Sequence, residues 1–194
     1  MQAAVRLNER AAESLEFIRT TLARSATFTS VPGYGGIGMG VIAAAAAALG
    51  ARQGDDHAWL AIWLGAAVVA APLALFAMWR KARRHGLSLW SANGRRFAQG
   101  FLPALVAGGV LTWALVSTSH MDLVPATWLL LYGAGVLAGS SASIPVLAWL
   151  GAAFMLLGIG AAATAPAWRD VWLGAGFGGL QVIFGVMIAR KHGG

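Results

Sequence analysis

No cysteine occurs among the 194 residues, which excludes disulfides, thiolate metal sites and cysteine nucleophiles. Charge is scarce too. Only 11% of residues are Asp, Glu, Lys or Arg, less than half of the roughly 25% usual in a soluble domain. Residues 123–168 carry none at all. Acids are the scarcer sign, 7 against 14 basic residues, for a net charge of +7. Such an excess points to nucleic acid only when it forms a basic face on a soluble domain. Here the basic residues stand in short segments between apolar runs, so no nucleic-acid partner is expected. Residues 1–30 lack the apolar core of a signal peptide and hold Glu9, Glu13 and Glu16. No Asp, Glu, Lys, Arg or His falls in the middle of an apolar run, where proton relays and ion paths usually leave one. Nucleophile–base pairs and phosphate-binding loops are missing as well. The chain is therefore expected not to be an enzyme and to hold no cofactor.

What is present is apolar surface. Hydrophobic residues make up 58% of the chain, and mean hydropathy is +0.69. Six stretches, near 33–51, 58–79, 100–118, 123–139, 144–165 and 170–189, are each long enough as a helix to span about 30 Å of hydrocarbon. The fourth and fifth need a turn between them, because one helix over 123–168 would run roughly 65 Å. Gly139-Ser140-Ser141-Ala142-Ser143 has turn composition, and Pro145 suits the first turn of a new helix. Pro72 and Pro103 are expected to kink or start helices. The predicted fold is an all-α integral membrane protein, a six-helix bundle over 31–194 preceded by a cytoplasmic amphipathic helix and linker over 1–30.

Orientation follows from the basic residues. With the N-terminus inside, Arg6, Arg10, Arg19, Arg24, Arg80, Lys81, Arg83, Arg84, Arg95, Arg96, Arg190 and Lys191 are cytoplasmic, and only Arg52 and Arg169 are outside. The positive-inside rule favours this arrangement, with both termini in the cytoplasm and the bundle in the inner (plasma) membrane. The loop cluster Arg80, Lys81, Arg83, Arg84, Arg95 and Arg96 is read as topogenic charge in contact with anionic lipid. Leu87 and Trp90 between its two halves suggest a short interfacial segment.

The chain also repeats itself. Ala58-Trp59-x-x-Ile62-Trp63-Leu64-Gly65-Ala66 matches Ala167-Trp168-x-x-Val171-Trp172-Leu173-Gly174-Ala175, and Trp128, Tyr132, Gly133 and Ala134 give a shortened echo. Two aromatics four apart share one helix face at the outer boundary, as in an aromatic belt. The recurrence suggests hairpins copied two or three times. With Phe154-Met155-Leu156-Leu157-Gly158-Ile159-Gly160 and the glycines from Gly178 to Gly185, six spans in three hairpins resemble the HdeD-type family of small bacterial membrane proteins. That resemblance implies a six-helix architecture and carries over no catalytic or ligand residue.

Few side chains suggest chemistry. Gln181 is the one strongly polar residue near a midplane, fit for an interhelical hydrogen bond or a polar ligand contact. Gly36–Gly40, Gly135–Gly139 and Gly174–Gly178 have the spacing of close helix packing, within the chain or between copies. His57, His120, Asp56 and Asp122, in outer loops with Asp55 and Asp170 nearby, form a conceivable divalent-ion set. The simpler reading makes each Asp a helix cap. Residues 3–24 carry a seam of Ala4, Leu7, Ala11, Leu15, Ile18 and Leu22 with mixed charges elsewhere on the cylinder. Leu7, Ala11, Leu15, Ile18 and Leu22 are read as partner-facing. The expected partners are membrane lipids and a protein, either a different chain or a second copy. A non-enzymatic scaffold or interaction subunit follows. The alternative is a carrier or channel for a small neutral or lipid-like solute.

Overall fold

The computed structural model describes residues 31–84, 86 and 88–192, and among these the regular structure is helical with no strand. The amphipathic seam of residues 3–24, including Leu7, Ala11, Leu15, Ile18 and Leu22, lies outside the described residues.

Helix α1 spans Gly33–Gly50, α2 Asp56–Arg84, α3 Ala92–Ser117, α4 Val124–Ser140 and α5 Val146–Ala162. The C-terminal rod is compound: α6 over Arg169–Leu173, a π-helical stretch over Gly174–Leu180, and α7 over Gln181–His192. With the 3-10 turns that lead into α4 and the C-terminal rod included, five of these rods are long and apolar enough to cross a membrane, and α5 is a shorter apolar helix of 17 residues. The architecture fits an all-α membrane protein.

Local chemistry sets the helix ends. The Ala58 amide donates to Asp55 Oδ2 at 2.7 Å, capping α2. Lys81, Arg83 and Arg84 sit in the last turn of α2, where the helix dipole favours cations. Ser91 Oγ caps α3 by accepting from the Gly94 amide at 3.1 Å. A 3-10 turn over Met121–Leu123 leads into α4, with Pro125 in its first turn. The chain turns between Ser140 and Val146, directly after which α5 runs back along α4. Pro72 and Pro103 lie inside α2 and α3 and begin neither helix.

Packing divides the helices unequally. α1 lies between α2 and the C-terminal rod, α4 lies between α3 and α5, and the π-helical stretch touches both α1 and α5. α2 and α3 are peripheral, each resting chiefly on one neighbour. The expected third hairpin is looser than the other two. α5 packs most closely on α4, and the C-terminal rod packs most closely on α1.

Small residues make these approaches possible. A Cβ on Gly36 would come within 3.3 Å of Gly185 Cα, and one on Gly40 within 2.8 Å of the Gly178 carbonyl oxygen. Gly135 and Gly139 face Phe101 and Phe97 of α3, while Gly174 and Gly178 face Ala47 and Ala44 of α1. All three spaced glycine pairs therefore serve contacts within the chain. The core between the layers is built on Trp59, Leu129, Leu147, Leu150, Phe154 and Leu173.

Candidate functional site

Two polar clusters interrupt the apolar interior. The first is central. Gln181 opens α7 immediately after the π-helical stretch, is buried, and donates from Nε2 to the Tyr132 hydroxyl on α4. Aromatic rings surround that hydroxyl's phenol: Phe101 at 5.4 Å, Phe154 at 4.7 Å and Phe177 at 5.0 Å between ring centroids. Gly36 of α1 closes the other side, within reach of the Gln181 side chain. The pair thus ties α4 to the C-terminal rod where α1 and α3 also converge.

The second cluster lies at the opposite end of α2 from its arginines. Trp59 and Trp63 both donate their indole N–H to Asp170 Oδ1, at 2.8 and 3.0 Å. Arg169 pairs with Asp56, and its guanidinium carbon lies 4.4 Å over the Trp59 ring. Gly50 leaves the room these groups need, since a Cβ there would stand 2.6 Å from Asp170 Oδ1. Trp59 is fully buried, so it faces the interior rather than a headgroup belt, whereas its repeat partner Trp168 is 56% exposed. The repeated motif is therefore used differently in its two copies. In α2 it supplies donors, and at the start of the C-terminal rod it carries the acceptor, Asp170, between Trp168 and Trp172.

The remaining boundary aromatics follow the same rule that a partly buried indole seeks an acceptor. Trp128 donates to Thr112 Oγ1 at 2.9 Å and Trp172 to Thr164 Oγ1 at 2.7 Å. Among the described residues no buried side-chain nitrogen or oxygen lacks a hydrogen-bond partner.

Among the described residues, the ionisable side chains expected at the outer face do not assemble into a metal site. Among the described residues no three His, Asp or Glu side chains converge as a metal ion requires. Asp56 is engaged by Arg169, while His57, His120 and Asp122 stand exposed. The capping reading holds for Asp55 but not for Asp170, whose oxygen is taken by the two indoles.

The basic cluster also divides. Arg80, Arg83, Arg84, Arg95 and Arg96 are exposed. Lys81 is only 3% exposed and donates from Nζ to the Val31 carbonyl at 3.0 Å, so it fastens the start of α1 instead of meeting lipid. Trp90 is 82% exposed on the turn before α3.

No protein-family model, curated protein or solved structure matches the chain. Sequence reasoning singled out Gln181 but missed Tyr132 as its partner and Asp170 as an acceptor. The available signal was the set of indole N–H groups in a chain with few carboxylates to receive them.

Proposed function

We propose that this chain is a non-enzymatic scaffold or interaction subunit of the inner membrane, crossing it six times with both termini in the cytoplasm. The observation that supports this reading is where the polar chemistry goes. Gln181, Asp170, Thr112 and the indoles are spent on contacts between the chain's own helices. Meanwhile α2 and α3 turn apolar side chains such as Val68, Phe76, Val106 and Trp113 outward. The three-hairpin likeness to HdeD-type proteins belongs to the same proposal. So does the partner-facing role of residues 3–24, whose leucines and isoleucine offer roughly 1.5–3 kcal/mol each on burial. That is sufficient to hold a protein contact.

A second reading, a carrier for a small neutral or lipid-like solute, draws support from one feature. The π-helical stretch Gly174–Leu180 adjoins Gln181, and π segments inside helices often mark functional positions. Native mass spectrometry after gentle extraction separates the two. The scaffold reading expects co-purifying protein or a second copy, dispersed by deleting residues 1–24 or by Leu15→Glu with Ile18→Glu. If both variants keep the native assembly and a small molecule remains bound until Gln181→Leu removes it, the carrier reading replaces it.

A further inference from the structure

We infer that the basic end of α2 carries a seat for an anionic phospholipid, with the phosphate held by Arg80 and Arg83 beside Trp79. This rests on the reading that α2 crosses a membrane and is independent of the scaffold role.

The seat is one face of one helix. Val69, Pro72, Phe76, Trp79, Arg80 and Arg83 recur at three and four residues, so they form a continuous stripe. Every one of them is exposed. Lys81, next in sequence, is buried on the opposite side against the body of the protein, and Ala82 is buried at the stripe's flank, which fixes the stripe as the outward face. Its apolar part is a track for an acyl chain, and it ends in an aromatic step. Phe76 and Trp79 lie with ring centroids 5.8 Å apart.

Arg83 then stacks over Trp79, its guanidinium carbon 5.0 Å from the ring centroid. Stacking on an indole leaves the planar edge of the guanidinium free and oriented. That edge is the part that binds a phosphate through two parallel N–H bonds. Arg80, one residue after Trp79, brings a second positive charge to the same place. Among the described residues the salt bridges to carboxylates both involve Arg169, near the other end of α2. In the proposed seat the phosphate supplies the complementary charge for Arg80 and Arg83. A lipid matches the whole stripe where a free phosphate would match only its end.

The full chain, reconstituted in vesicles of equal phosphatidylglycerol and phosphatidylcholine and extracted mildly, provides the test. Lipid retained on the protein is measured by mass spectrometry. Phosphatidylglycerol should be enriched, and Arg80→Gln with Arg83→Gln should cut that enrichment roughly tenfold. Trp79→Leu keeps every charge yet should lower it several-fold. Arg95→Gln with Arg96→Gln removes the same charge from α3 and should leave it within twofold. Equal losses from the α2 and α3 pairs, or no loss in Trp79→Leu, would overturn the seat in favour of diffuse attraction. Arg80→Lys with Arg83→Lys guards against a folding defect, since it preserves charge and should still lose enrichment. A chain that floats with the vesicles but shows no enrichment overturns the seat alone. One that does not float overturns the membrane reading as well.

Discussion

Asp170 Oδ1 takes two indole N–H bonds while Oδ2 lies 3.8 Å from Arg169 Nε. Removing that oxygen strands donors in a region with little water, and a buried unsatisfied polar group costs roughly 1–3 kcal/mol. Asp170→Ala is therefore expected to lower the thermal midpoint of the detergent-solubilised protein by several degrees and to alter its tryptophan emission. Asp170→Asn keeps an acceptor oxygen and should recover more than half of the loss. Coincident melting of Asp170→Ala and wild type would show that the indoles find other partners at no cost. Residue-scale chemistry was only half legible in the sequence. The paired tryptophans announce themselves by spacing, but their acceptor is 111 residues from Trp59, and no local pattern links them. Lys81 is the converse case. It belongs to a basic run by sequence, yet its position on the cylinder turns it inward to the Val31 carbonyl.

At the scale of helices, α4 and α5 meet through glycine. Gly133 and Gly151 face each other so closely that a Cβ on either would stand 2.7 Å from the other's carbonyl oxygen. Backbone cannot yield as a side chain can, so Gly133→Ala should force the helices apart at a cost of about 1–3 kcal/mol. Gly109 of α3 has nothing within 4 Å of an added Cβ. There the same substitution should be neutral or slightly stabilising, since alanine is the better helix former. Comparing the two by thermal unfolding separates packing from propensity, and equal behaviour would contradict the close contact. Helix positions were readable because apolar runs of this length have few alternatives. Which helices pair was not. Spaced glycines mark a face without naming its partner, and the glycine-rich run Gly174–Leu180 gives no sign of its π geometry. Six spans read as three hairpins pair α5 with the C-terminal rod, and the glycine faces of α1 and α4 outcompete that pairing.

For the molecule as a whole, the proposed orientation makes a direct prediction. The cysteine-free sequence allows single cysteines to be read without background. At Ser14, Ser91 and His192 they should resist a membrane-impermeant thiol reagent in intact cells, whereas one at Gln53 should react. Labelling at any of the first three would break the proposed topology. The packing of the C-terminal rod has a further consequence, for the time course of assembly. α1 receives its glycine contacts from Gly178, Val182 and Gly185, and α2 fastens Trp59 and Trp63 to Asp170. Asp170 follows Trp59 by 111 residues, so these partners are made long after the helices they join. The first two helices must therefore wait, with bare glycine faces and unclaimed indoles, until the C-terminal rod has been made. A chain cut before Asp170 would give them nothing to close upon, and quality-control proteases would meet it in that open state.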